Sequence, residues 1–149
     1  MNPTIDVVLI EENIRDAELT IRALTKYSLA DKLIHLKNRK EATDFFFGTG
    51  EKSLSPIMDL PKLIMLDLKM EDGNALKILS ELKSHDVLKV IPVVVLTASP
   101  DDPDIANSYR LGANSYIVKP TAFSDFLATI SELGLYWLLL NKTSQQAVD

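Results

Sequence analysis

Five short apolar runs punctuate the chain: IDVVLI (Ile5 to Ile10), KLIHL (Lys32 to Leu36), KLIMLD (Lys62 to Asp67), IPVVVLT (Ile91 to Thr97) and SYIVK (Ser115 to Lys119). Each has about the length of a strand. Apolar residues recur at helical spacing after each one: Ala17, Ile21 and Leu24; Ala42, Phe45 and Phe46; Ala75, Ile78, Leu79 and Leu82; Ile105, Ala106 and Tyr109; and Phe123, Phe126, Leu127, Ile130, Trp137 and Leu138. The strands are nearly continuous in their apolar character rather than alternating, so both of their faces need cover, and helical crossovers between parallel strands supply it. The pattern predicts an α/β domain: a doubly wound five-stranded parallel sheet with helices on both faces.

A chain of 149 residues with 46% hydrophobic content supports one well-buried core. The expected domain runs from residue 4 to 141, with 142–149 a frayed polar tail and residues 48–61 the one long loop. The charge balance, 16 basic against 21 acidic residues and −5 net, has no basic stripe and argues against nucleic acid as a partner. There are no cysteines, which removes disulfides and thiolate metal sites and fits a reducing compartment. The start, MNPTIDVVLIEEN, lacks the basic region and cleavage site of a signal peptide, and LYWLLL falls well short of the roughly 20 residues of a membrane span. A cytoplasmic protein with no membrane partner is expected.

Chemistry in such a sheet gathers outside the carboxyl ends of the strands. Glu11 and Glu12 follow the first strand, Asp67 ends the third, Thr97 the fourth, and Lys119 the fifth, just before Pro120. Two carboxylates about 4 Å apart repel by roughly 4 kcal/mol at an effective dielectric near 20. A cluster of three calls for more positive charge than Lys119 supplies. A hard divalent ion bound by oxygen, Mg²⁺ the natural choice, would complete it and leave positions open for a phosphoryl group. Asp67 is then a candidate nucleophile that forms an aspartyl phosphate, with Thr97 and Lys119 donating to the phosphoryl oxygens.

This set, with Thr97 in VVVLTAS and Lys119 in YIVKP, resembles the receiver domain of two-component response regulators over roughly residues 4 to 141. IEENIRDAEL, the long loop and the ending LGLYWLLLN are similar to the single-domain regulators associated with bacterial and cyanobacterial phytochromes. The resemblance implies a flavodoxin-like, receiver-type fold and a phosphorelay role rather than an enzyme with an external substrate. It implies Asp67 as phosphoacceptor from a sensor histidine kinase of phytochrome type, and Glu11, Glu12 and Asp67 as metal ligands, directly or through water, together with the backbone carbonyl of Lys69. Thr97 and Tyr116 would be the switch pair that remodels the surface of the fourth helix, fifth strand and fifth helix for a downstream protein target. The bond before Pro120 is often cis in this family.

The chain departs from the family pattern at three points. Glu12 stands where Asp is usual, its carboxylate carried about 1.5 Å further out by the extra methylene. Lys69 replaces an uncharged residue, and its side chain has the reach to stand in for part of the cation. The turn KMEDG is shorter than usual and lacks a proline. Together these weaken the expected Mg²⁺ affinity and support an alternative, a degenerate receiver that binds proteins without taking phosphate. An aspartate-nucleophile phosphatase fits less well, because Lys69 occupies the place of its second Asp. Flavin binding fits poorly, the loop after the first strand being acidic.

Taken singly, each of these residues has an ordinary structural reading as a helix cap, a strand end or a surface lysine. Tyr116 has one as a half-buried packing residue, and so do His35 and His85, which have no partners at suggestive spacing. Asp101, Asp102 and Asp104 read as the acidic start of the fourth helix. The last helix is different: Leu135, Tyr136, Trp137, Leu138, Leu139 and Leu140 surround its axis, so it needs a second burial surface. A homodimer is expected, with Leu135, Tyr136, Leu139 and Leu140 in its contact.

Overall fold

The computed structural model describes residues 5–48, 53–54, 60–70 and 75–143. Strands β1 (Val7–Ile10), β2 (Leu33–Leu36), β3 (Leu63–Leu66), β4 (Val93–Thr97) and β5 (Ser115–Val118) alternate with helices α1 (Ile14–Lys26), α2 (Arg39–Phe47), α3 (Ala75–Ser84), α4 (Asp102–Arg110) and α5 (Phe123–Gly134). All strand pairs are parallel, and the order across the sheet is β2-β1-β3-β4-β5. The expected doubly wound architecture is what forms. Most of the 48–61 loop, the turn at Asp72 and Gly73 and most of the tail lie outside the described residues.

The sheet divides the core in two, because successive side chains of a strand point to opposite faces. Val8, Ile10, Ile64, Leu66, Val93 and Val95 face α2 and α3, which contribute Phe45, Phe46, Ile78, Leu79 and Leu82. Val7, Leu9, Leu63, Met65, Val94 and Leu96 face α1 and α5, which contribute Leu24, Phe126, Ile130 and Leu133. Each of these strand residues is almost wholly buried, which explains the unbroken apolar runs.

Two helix faces differ from expectation. In α4 the buried residue is Ser108, while Ala106 and Tyr109 are exposed. The Ser108 hydroxyl is satisfied by donating to the Asp104 carbonyl at 2.7 Å, so a polar residue can take the inner position. Phe123, at the start of α5, is also exposed.

Beyond Gly134 the last helix widens into a π-helical segment, Leu135–Leu140. A Cβ on Gly134 would lie 2.9 Å from Leu24 Cδ2 of α1 and 2.9 Å from Leu29 Cδ1, so glycine lets these two leucine tips close over the helix without shifting. Phe123–Leu140 is by length and composition apolar enough to cross a membrane, at a mean hydropathy of 1.3 over 18 residues. It carries Asp125 and Glu132 and buries Phe126, Ile130, Leu133 and Leu138 in this domain, with 28% of the window buried.

Candidate functional site

The chain leaves β1 toward β2 on one side and returns to β3 on the other, so the crevice between the ends of β1 and β3 is the topological switch point. Ile10 is in register with both Leu36 and Leu66, which brings Glu11 and Asp67 to the same level. The Asp67 N–H donates to the Ile10 carbonyl at 3.1 Å and the Glu11 N–H to the Leu36 carbonyl at 3.0 Å. On the far side of β4, the Lys119 N–H donates to the Thr97 carbonyl at 2.7 Å. Backbone pairing thus aims three ionisable side chains before any of them interacts.

They meet at the Lys119 ammonium. It donates to Glu11 Oε1 at 2.6 Å, to Asp67 Oδ2 at 2.8 Å and to Asp16 Oδ2 at 2.8 Å. Glu11 and Asp67 are only 2% and 5% exposed. The Asn13 N–H donates to Glu11 Oε2 at 3.2 Å and the Lys69 N–H to Asp67 Oδ1 at 3.0 Å.

Burial, and then the hydrogen bond and charge of Asp67, push Glu11 up to about 8 against the opposing pull of Lys119. Burial alone would also raise Asp67, but bonds from Glu11, Lys119 and the Lys69 N–H hold it below the usual carboxylate range. Burial disfavours the Lys119 charge, yet the bonds to Asp16, Asp67 and Glu11 outweigh it and raise the ammonium above the ordinary lysine range. These contacts favour negative charge on Asp67 over Glu11, the bias a nucleophile requires.

Oxygens of Glu11, Asp16 and Asp67 lie within 4.8 Å of one another, an all-oxygen donor set with more negative than positive charge. Such a set fits a hard divalent ion. Asp16 was not foreseen from the sequence, because attention to strand ends overlooks a residue one turn into the next helix. Asn13 caps α1 by accepting from the Asp16 N–H at 3.0 Å, and the first helical turn then swings Asp16 back over the pocket. The signal was present in EENIRD, an acidic residue in the first turn after an Asn cap.

Other anticipated residues fall as follows. Glu12 is half-buried and stands outside this carboxylate group. The Lys69 side chain is exposed and, among the described residues, forms no ion pair, so it does not replace the cation as expected; its amide rather than its ammonium faces Asp67. Thr97 is fully buried, its Oγ1 accepting from the Ser99 N–H at 3.5 Å. The Tyr116 hydroxyl donates to the Ser99 carbonyl at 2.8 Å, joining β5 to the loop after β4. That loop borders a cavity of about 310 Å³ lined by Lys69, Ser99 and Asp104, among others.

The other polar residues singled out in the sequence make local contacts. Asp102 and Asp104 occupy the first turn of α4, but Asp101, at the cap position, makes no side-chain cap. Asp104 instead accepts from the Ser99 hydroxyl at 2.6 Å. His35 Nε2 lies 2.8 Å from the Glu11 carbonyl, and His85 Nδ1 accepts from the Val87 and Leu88 N–H groups at 3.1 Å each. The described backbone has no cis bond, so Lys119–Pro120 is trans.

Similar proteins are consistent with this site. The probable methanogenesis regulatory protein FilR2 of Methanothrix harundinacea is 33% identical over 139 residues, covering 92% of this chain and 86% of that protein. Response regulator Rcp1 of Synechocystis is 33% identical over 137 residues, 92% of this chain and 91% of Rcp1. The structure of its Mn²⁺-bound form superposes with a TM-score of 0.83 at 29% identity over 93% of this chain and 98% of that one. The phosphorylated cyanobacterial phytochrome response regulator RcpA gives a TM-score of 0.85 at 30% identity, covering 95% and 99%. The family model for the response regulator receiver domain matches residues 7–131, and the chain belongs to that family.

Proposed function

We propose that this receiver domain accepts a phosphoryl group on Asp67 from a phosphohistidine of a sensor kinase in the cytoplasm. The observation that carries the reading is the pocket at the strand ends in which the Lys119 ammonium and the Lys69 amide both donate to Asp67 beside Glu11. The bond from an Asp67 oxygen to phosphorus forms as the phosphorus–nitrogen bond breaks, and the departing imidazole keeps the electron pair and takes a proton from water. Lys119 and Thr97 would donate to phosphoryl oxygens. Mg²⁺, held by Glu11, Asp67 and the Lys69 carbonyl, with Glu12 acting through water, would supply charge neutralisation of the phosphoryl oxygens. The similarity to Rcp1 and RcpA supports a phytochrome-type kinase.

Output would pass through protein contacts. Thr97 and Tyr116 would couple the pocket to the α4–β5–α5 surface, which exposes Tyr109, Val118 and Phe123 to a downstream protein. Leu135, Tyr136, Leu139 and Leu140 are between 46% and 62% exposed and would form a homodimer contact. Sedimentation should show a dimer that Leu139→Lys with Leu140→Lys converts to monomer; a wild-type monomer at high concentration refutes it.

Incubation with acetyl phosphate and Mg²⁺ should give a labile phosphoryl mass gain that is absent in Asp67→Asn. A second reading, a phosphate-independent interaction module, is favoured by one observation: Lys119 pairs with all three carboxylates, a cation supplied by the chain itself. A wild-type protein that gains no mass in any condition would establish it.

A further inference from the structure

A lysine ammonium has three N–H donors. Lys119 spends them on three carboxylates: Glu11 Oε1 at 2.6 Å, Asp16 Oδ2 at 2.8 Å and Asp67 Oδ2 at 2.8 Å. The acceptors are not equivalent. Side chains of Glu11 and Asp67 are 3% and 6% exposed, that of Asp16 31%. Glu11 and Asp67 also accept from backbone N–H groups of Asn13 and Lys69, whereas among the described residues the Asp16 carboxylate accepts from Lys119 alone.

A phosphoryl group turns the Asp67 carboxylate into an acyl group and brings new anionic oxygens, so one Lys119 donor passes from Asp67 to the phosphoryl group and a second phosphoryl oxygen can be served only by releasing Glu11 or Asp16. Losing a bond costs least where water can replace it, and most where a buried carboxylate would be stranded. Asp16 is the carboxylate that water reaches. Its helix does not move freely, since Ala17, Thr20, Ala23 and Leu24 of α1 are buried, so the exchange falls to the two side-chain heads.

We propose that Asp16 is a positioning residue acting through Lys119: at rest it takes the third proton of the ammonium, and it is the partner that yields when a phosphoryl oxygen needs a donor. The proposal deepens the phosphoacceptor reading and rests on it for its second half. Asp16 would therefore compete with the phosphoryl group for Lys119, and removing its charge would favour the phosphorylated geometry once metal is saturating.

Two measurements on the full chain test it, with Asp16→Asn, the conservative Asp16→Glu, and Lys119→Arg to assign the lysine signal. In the resting protein, ¹H–¹⁵N spectra of lysine ammonium groups should show a slowly exchanging Lys119 signal. Its exchange with water should speed up about five-fold or more in Asp16→Asn and return in Asp16→Glu. Beryllofluoride, a phosphoryl mimic, titrated at saturating Mg²⁺, should bind about five-fold tighter to Asp16→Asn than to wild type, with Asp16→Glu near wild type. Unchanged ammonium exchange in Asp16→Asn, or beryllofluoride affinity that is equal or weaker, overturns the proposal. If wild type ignores beryllofluoride while the ammonium responds as stated, the resting anchor stands and the phosphoacceptor reading fails.

Discussion

Two lysines at opposite ends of the sheet each hold three acceptors. Lys119, where the strands finish, meets three carboxylates. Lys83, where β4 and β5 begin, donates to the Ile91 carbonyl at 2.7 Å, Asn114 Oδ1 at 3.0 Å and the Lys89 carbonyl at 3.1 Å. Burial pushes Lys83 below the ordinary lysine range, while Lys119 is raised despite its burial. Neutral dipoles fix a cation in place without offsetting its loss of water; carboxylates do both. Lys83 is a clip between a helix and two strand starts, Lys119 the positive centre of a charge pocket.

Removing each cation should sharpen the contrast. Lys119→Met leaves buried carboxylates without a counter-charge and should cost about 3 kcal/mol in urea unfolding without metal, part of it restored by Mg²⁺. A loss indifferent to Mg²⁺ would erase the distinction between the two ends.

Per pH unit, a smaller effect should appear in the pH dependence. Glu11 keeps its proton up to about pH 8 in the folded protein, against 4.5 for an ordinary glutamate, so the folded state holds the extra proton between these values. Its contribution to stability should fall as pH rises through that window, by at most about 1.4 kcal/mol per pH unit, and level off above it. Asp67, held down, contributes in the opposite sense and loses its contribution only as pH falls below its ordinary 3.8. Glu11→Gln should flatten the metal-free slope between pH 5 and 8, which unfolding at a series of pH values would measure.

The smallest change is expected of Lys83→Met, which removes a charge together with its neutral acceptors' donor. It should cost about 1 kcal/mol and leave phosphoryl uptake from acetyl phosphate unchanged. A strong effect on uptake would mean that the two ends of the sheet communicate.

The comparison also marks what could be read without coordinates. Strands that bury both faces announce themselves by composition, and in a parallel sheet their carboxyl ends share one rim, so Glu11, Asp67 and Lys119 were legible as a group. Asp16 was not, because its place depends on the pitch of α1 and on the Asn13 cap rather than on sheet register. The inner face of α4 was misread because apolar periodicity cannot see a serine whose hydroxyl is satisfied by its own helix. Whether Lys69 would present its ammonium or its amide to Asp67 was likewise a matter of loop geometry.

Helix α1 is about 20 Å long at 1.5 Å per residue over its 13 residues. Its first turn bears Asp16 and its last turn bears Leu24, whose Cδ2 fills the space a Cβ on Gly134 would enter. It is therefore a strut with an ionic joint at one end and a methyl-free seat at the other. Gly134→Ala would make the Leu24 and Leu29 tips shift, so the exposed leucine cap and the strut that carries Asp16 meet at one seat.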